Sequence, residues 1–169
     1  MLQMDERAFD RTSGSGWRVI ADVEGCEGAA ADLIARYRTA HPDVGDARGL
    51  LHHEAQLRAS SGQTETAIAL LEQTRALETA PEIVAYRDAE IAFLRGDRPA
   101  LLEARDRLLA IPTPNGFEAS VARFRERFPD AIPPSWPLNI EVVNGFVACF
   151  GRPYREAYIA PCRGSEIDD

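Results

Sequence analysis

The sequence predicts an all-α protein built from repeated helix–turn–helix units, and three observations predict this fold class. Glycines recur 34 residues apart, and an amphipathic stretch follows each of them. Alanine stands seven positions before each of these glycines, where two helices can cross closely. No segment shows the apolar–polar alternation of a strand. The periodic residues are Gly28, Gly62 and Gly96, with Ala21, Ala55 and Ala89.

The period divides the chain into five parts. We expect a flexible N-terminal tail at residues 1–13 and three helical hairpins at residues 14–115. An extra helix and a Pro-rich connection are predicted for residues 116–136, because the register of the repeat breaks there. Residues 137–162 are predicted to form a C-terminal capping hairpin, and residues 163–169 a flexible acidic tail.

Local signals support these boundaries. Asp97 is predicted to cap a helix that has Pro99 in its first turn, and Thr64 to cap the helix after Gly62. Gly151 marks the turn of the C-terminal hairpin. Apolar residues at spacings of three and four predict the extra helix: Phe117, Val121, Phe124 and Phe128.

Composition excludes several classes of function. The 169 residues are 45% hydrophobic and 27% charged, as in folded soluble proteins, and all 19 basic residues are Arg. A net charge of −8 argues against nucleic-acid binding, which needs a basic face. We expect no signal peptide and no membrane span, since the chain lacks an apolar run of roughly 20 residues. Three Cys are too few for a disulfide framework, so we expect a cytoplasmic protein.

The pattern resembles that of the tetratricopeptide repeat (TPR) family, over roughly residues 14–115. Three residues fit the first helix of that repeat, namely Trp17, Ile20 and Ala21. Four fit its turn and second helix, namely Gly62, Ala67, Ile68 and Leu71. Charged residues replace apolar ones at three positions of the pattern, Glu54, Arg58 and Asp88. The resemblance implies a divergent α-solenoid, wound as a right-handed superhelix.

The resemblance also implies a concave face, lined by the first helix of each repeat, that binds a protein or peptide. At the corresponding positions the chain has Arg18, Asp22, His52, His53, Gln56, Tyr86, Arg87 and Glu90. One subclass of the family grips the terminal carboxylate of chaperones with five such side chains. Here three of those positions carry Asp22, His53 and Ile83, so we expect no binding of chaperone tails. Size and acidity are similar to those of small bacterial secretion chaperones.

Residues that could carry chemistry are few. His52 and His53 are adjacent and point about 100° apart on a helix, so we expect no metal site. Cys162 precedes Arg163, which can lower the pKa of a thiol, so Cys162 is the candidate reactive thiol. The sequence places no base beside it. We therefore expect no catalytic residues and no cofactor.

The resulting hypothesis is a non-enzymatic module that binds a protein or peptide partner, as a chaperone or adaptor does. Two alternatives stay open: a small thiol-dependent enzyme or redox sensor using Cys162, and a self-assembling structural module. The chain is either a monomer or a homodimer. The C-terminal hairpin either caps the array, folds back into the groove or pairs with a second copy.

Overall fold

The fold is all-helical over the part of the chain that the structure, a computed structural model, describes, which is residues 1–163. The expected acidic tail lies outside this part, apart from Arg163. No helix within it combines the length and the apolar character needed to cross a membrane. The elements are a π-helical turn Arg7–Arg11, α1 Arg18–Ala21, α2 Glu27–Ala40, α3 Ala47–Ser60, α4 Thr64–Ala76, α5 Pro81–Leu94, α6 Arg98–Leu109, α7 Phe117–Arg127, α8 Ile140–Ala148 and α9 Tyr154–Tyr158.

Side-chain hydrogen bonds cap the N-termini of two helices, α6 and α3. The carboxylate of Asp97 accepts a hydrogen bond from the backbone N–H of Ala100 at 3.0 Å, which confirms the predicted cap of α6. Asp46 caps α3 in the same way. The cap predicted at Thr64 is wrong. Thr64 is the first residue of α4, and the capping residue, Gln63, makes no side-chain hydrogen bond to the helix end.

Two of the three periodic glycines lie in turns. Gly62 and Gly96 have φ of +78° and +68°, a left-handed conformation that residues with a Cβ rarely adopt, and each follows a helix end. Gly151 turns the chain between α8 and α9 in the same way. Gly28 is a correction, because it lies inside α2. The turn before that helix contains Gly25, with φ of +79°.

Helices that follow one another in sequence pack against each other from α1 to α6. The C-terminal helices then pack back onto this series: α8 contacts α5 and α6, and α9 contacts α8 and α3. Helix α3 is therefore in contact both with its neighbours in sequence and with the end of the chain. This arrangement brings residues from three distant segments together at the candidate site.

The N-terminal segment packs into the molecule, which corrects the prediction of a flexible tail at residues 1–13. Phe9 is fully buried, and its ring stacks on that of Tyr37 with centroids 3.7 Å apart. The hydroxyl of Tyr37 donates a hydrogen bond to the carbonyl of Met4 at 2.9 Å. Burying a Phe side chain contributes about 2 kcal/mol or more, so Phe9 helps to hold this segment in place.

Helix α7 lies within residues 116–136, for which the sequence predicts an extra helix. Val121 is its buried residue, and Phe117 contacts the ring of Trp136 edge-on. The indole N–H of Trp136 donates a hydrogen bond to the carbonyl of Ile111 at 2.9 Å. This hydrogen bond joins the connection after α7 to the segment before α7.

Candidate functional site

A cleft of about 290 Å³ opens where the N-terminal segment, taken here as residues 1–18, meets α3 and α9. Three residues that the sequence predicts for partner binding lie in it, namely Arg18, His53 and Gln56. Aromatic side chains from the two ends of the chain form its walls. The complete lining is Trp17, Arg18, His53, Gln56, Leu57, Ser60, Tyr154 and Tyr158.

Asp10 organises one side of the cleft. Its buried carboxylate accepts hydrogen bonds from the indole N–H of Trp17 at 2.8 Å and from Nδ1 of His53 at 2.9 Å. Burial alone would raise the pKa of Asp10, but the hydrogen bonds from His53 and Trp17 and the charges of His53 and Arg18 lower it below its usual value. An ionised carboxylate only accepts hydrogen bonds. Nδ1 of His53 is therefore the donor in this hydrogen bond.

Arg18 supplies a cation to the same side. Its guanidinium lies over the ring of Trp17, 4.1 Å from the centroid. Nη1 is 3.6 Å from a carboxylate oxygen of Asp10, which is an ion-pair distance, and it has no hydrogen-bond partner among residues 1–163. With its side chain 28% exposed, Arg18 retains donor capacity at the cleft.

Glu90 is fully buried next to the cleft, where it contacts the lining residues Gln56 and Tyr154. Its carboxylate accepts hydrogen bonds from His52 at 2.9 Å, Arg87 at 3.0 Å, Gln56 at 3.1 Å and the hydroxyl of Tyr154 at 2.8 Å. These donors come from α3, α5 and α9. A buried carboxylate with four donors is a satisfied group, so this network fixes the position of the three helices relative to each other.

The pKa values in this network follow from burial and from these contacts. Burial would raise the pKa of Glu90, but the charges and hydrogen bonds of His52, Arg87 and Tyr154 outweigh it and lower the pKa to about 2. Burial lowers the pKa of His52. Burial and the charge of Glu90 together raise the pKa of Tyr86 and of Tyr154 well above 10. Both hydroxyls therefore remain protonated, and that of Tyr154 donates to Glu90.

The C-terminal helix α9 forms the second wall. Tyr154 and Tyr158 stand four residues apart, so they lie on one face of the helix, and their rings stack with centroids 5.6 Å apart. The side-chain amide of Gln56 donates to the hydroxyl of Tyr158 at 3.3 Å. Among the alternatives for this hairpin, the structure has α9 folded back onto α3. In the sequence, the two tyrosines of YREAY stand four residues apart, which predicts that they share one face of a helix. No sequence pattern shows which other helix that face contacts.

The structure corrects part of the predicted binding face. His52, Tyr86 and Glu90 are buried, because α9 and the Glu90 network cover the positions expected to be open. Arg87 is nearly buried as well and is paired with Glu90. Asp22 is exposed at the end of α1 and does not line the cleft. The predicted set of residues is thus divided between an interior network and a smaller surface site.

Cys162 is not a free thiol in this structure, which corrects its assignment as the reactive cysteine. Its sulfur is bonded to that of Cys149, at the end of α8. The sequence could not show this pairing, because a disulfide depends on the distance between the two Cα atoms, here 5.9 Å. Cys26 remains free and is partly buried.

The site therefore offers recognition chemistry: one cationic donor, one imidazole, an amide and aromatic walls. Over residues 1–163, no three His, Cys, Asp or Glu side chains group closely enough to hold a metal ion. Comparison of the chain with known protein families, with curated proteins and with solved structures finds no match. The class that the fold and site define is an all-helical protein with a small polar and aromatic cleft.

Proposed function

We propose that the protein is a non-enzymatic module that binds a peptide segment of a partner protein in the cleft between the N-terminal segment, α3 and α9. The observation that carries this proposal is the fixed arrangement of a donor and an acceptor beside an aromatic wall. Asp10 holds His53 through Nδ1, and in the proposed complex Nε2 is the acceptor, while Nη1 of Arg18 has no hydrogen bond among the described residues.

A peptide group matches this arrangement, because it carries one N–H and one C=O. The N–H of a partner would donate to Nε2 of His53, and its carbonyl would accept from Arg18. An apolar side chain of the same peptide would lie between Trp17 and the tyrosines of α9, since aromatic residues and Arg supply much of the affinity at protein interfaces. The cleft has room for one such side chain and its neighbouring peptide group, which suits an adaptor that reads a short motif.

The arrangement of the helices is part of the proposal. We infer that the pairs α1–α2, α3–α4 and α5–α6 are divergent TPR-like units, on the support of the turn glycines Gly62 and Gly96 and of packing between neighbours. The cleft is lined by residues at the start of α1 and in α3, the first helices of the first two pairs. That is the side on which the resemblance places partner binding.

Selection of random peptides displayed on phage, followed by calorimetry with the selected peptides, tests the proposal. We expect Arg18→Ala to weaken binding of a selected peptide at least about tenfold, which corresponds to about 1.4 kcal/mol, because it removes the donor and the cation. Arg36→Ala is the matched control, since Arg36 is exposed on α2 and does not line the cleft. Equal affinities for wild type and the Arg18 variant would show that the cleft is not the binding site.

A further inference from the structure

The disulfide between Cys149 and Cys162 encloses α9. The two cysteines are 13 residues apart, and the five residues of α9 lie between them. Cys149 follows the last residue of α8, so the disulfide ties the chain after α9 to a helix that packs on α5 and α6. The end of the α9 segment is thus anchored covalently to the rest of the fold.

Without this bond, α9 depends on noncovalent contacts. A helix of five residues has no stability of its own in water, so its packing must hold it. Tyr154 and Ala157 are buried, and Gly145 of α8 lets the backbone approach closely: a Cβ there would be 2.6 Å from the carbonyl oxygen of Ala157. The ion pair of Arg163 with Glu141 is more than a third exposed on both sides, so it contributes little.

The cleft depends on α9 for its second wall. Tyr154 and Tyr158 line it, and Gln56 is oriented by the hydroxyl of Tyr158. If α9 leaves, these two aromatic rings are lost from the cleft, and Glu90 loses the donor Tyr154 and becomes open to water. A change at the disulfide therefore reaches the proposed binding site through a single short helix.

We propose that the Cys149–Cys162 disulfide is a redox latch: the oxidised protein holds α9 against α3 and keeps the cleft complete, and reduction by a dithiol releases α9 and dismantles the cleft. The consequence for binding rests on the function proposed above. The release of α9 does not, because it concerns the fold alone. The disulfide persists in oxidising compartments and is lost in strongly reducing ones, so the latch couples binding to redox conditions.

The chemistry is thiol–disulfide exchange. A thiolate of the dithiol attacks the sulfur of Cys149, the more exposed of the two half-cystines, and the sulfur of Cys162 leaves as a thiolate and takes a proton. The second thiol of the reductant then attacks the mixed disulfide, forms a disulfide within the reductant and releases the thiol of Cys149. Two electrons and two protons pass from the dithiol to the protein.

Hydrogen exchange followed by mass spectrometry, with and without dithiothreitol, tests the latch directly. We expect amide exchange in residues 154–163 to become at least about tenfold faster on reduction, because the docked state loses its covalent anchor, while exchange in α4 stays unchanged. The Cys26→Ser variant is the control for the free thiol and should respond as wild type does. Unchanged protection of residues 154–163 after complete reduction, verified by the mass of the alkylated protein, would overturn the proposal.

Two further measurements separate the latch from the binding function. The double variant Cys149→Ser/Cys162→Ser should show fast exchange in residues 154–163 without reductant. If this variant fails to fold, reduction of the folded wild-type protein gives the same comparison. Calorimetry with a selected peptide should then show at least about tenfold weaker binding to the reduced protein. Release of α9 with unchanged peptide affinity would leave the latch standing and refute the cleft as the binding site.

Discussion

At the scale of single residues, Glu90 is the group on which the polar interior depends. Its carboxylate is fully buried and accepts from side chains of three helices. A buried charge is stable only when it is paired and fully hydrogen-bonded, and removing the charge leaves the donors around it unsatisfied. Glu90 therefore links helix packing to the ionisation state of one side chain.

We expect Glu90→Gln to lower the free energy of unfolding at pH 7 by about 3 kcal/mol, because a neutral amide does not match the charge of Arg87. The pKa of Glu90 is lowered in the folded protein, from its usual 4.5 to about 2. Its stabilisation is therefore fully present above pH 4.5 and is lost as the pH falls towards 2. The difference between wild type and variant should shrink over that window, as measured by urea unfolding at a series of pH values.

Glu118→Gln is the matched control for this measurement. Glu118 is exposed on α7, so the same loss of charge should leave the free energy of unfolding within about 0.5 kcal/mol of wild type. A difference between wild type and Glu90→Gln that stays constant from pH 7 to pH 2 would contradict the assigned role of the Glu90 charge.

His52 adds a second pH dependence. Because its pKa is lowered in the folded protein, the free energy of unfolding falls as the pH drops below about 6.5.

The sequence indicates some of the residues that line the cleft, but it does not show which residues are buried around them. The resemblance to the TPR family implies a partner-binding face that includes Arg18, His53 and Gln56, and the cleft contains all three. Register cannot show that Glu90 is buried, because the groups that cover it are distant along the chain: Tyr154 is 64 positions away. An acidic residue on a helix face is usually exposed, so the prediction followed the general rule. The covering helix made this position an exception.

At the scale of helices and turns, the structure separates two kinds of glycine that the 34-residue period treats alike. Gly62 lies in a turn with positive φ, and Gly28 lies near the start of α2 with helical backbone. The first hairpin is therefore shorter than the period requires, since α1 spans only Arg18–Ala21 and its turn contains Gly25. The sequence period does not show the backbone conformation at each glycine, because that conformation depends on where the neighbouring helices begin and end.

A pair of alanine substitutions tests this distinction. Gly62→Ala should lower the free energy of unfolding by roughly 1–2 kcal/mol, because a residue with a Cβ is strained at φ of +78°. An added Cβ there meets no atom within 4 Å, so the cost is conformational alone. Gly28→Ala should be neutral or stabilising by up to about 1 kcal/mol, since alanine favours the helix and the nearest atom, in the Gln63 side chain, can move.

Thermal and urea unfolding of the two variants against wild type measure both effects. The two substitutions add the same methyl group, so each serves as the control for the other. Equal destabilisation by both would show that Gly28 is also held in a turn, as the strict period predicts. Stabilisation by both would show that the backbone at Gly62 is not left-handed.

At the scale of the whole molecule, α3 joins the apolar clusters that the chain forms. Leu57 packs in the N-terminal cluster with Phe9 and Tyr37, whereas Ala59 packs in the C-terminal cluster with Phe146. Ala55, on the same helix, belongs to a third cluster with residues of α4 and α5. The sequence could not predict this closure, because the anchoring of Phe9 and the docking of α9 both depend on contacts between distant segments.

Because α3 is shared, we expect the two ends of the chain to unfold in one transition, unlike a simple array in which each unit contacts only its neighbours. The two tryptophans report on opposite regions, since Trp17 packs in the N-terminal cluster and Trp136 donates to Ile111 beside α7. Trp17→Phe and Trp136→Phe each leave one fluorescent probe. In each variant, urea unfolding followed by the remaining tryptophan should have the same midpoint as unfolding followed by circular dichroism. A tryptophan transition separated from the loss of helix would show that its region unfolds independently of α3.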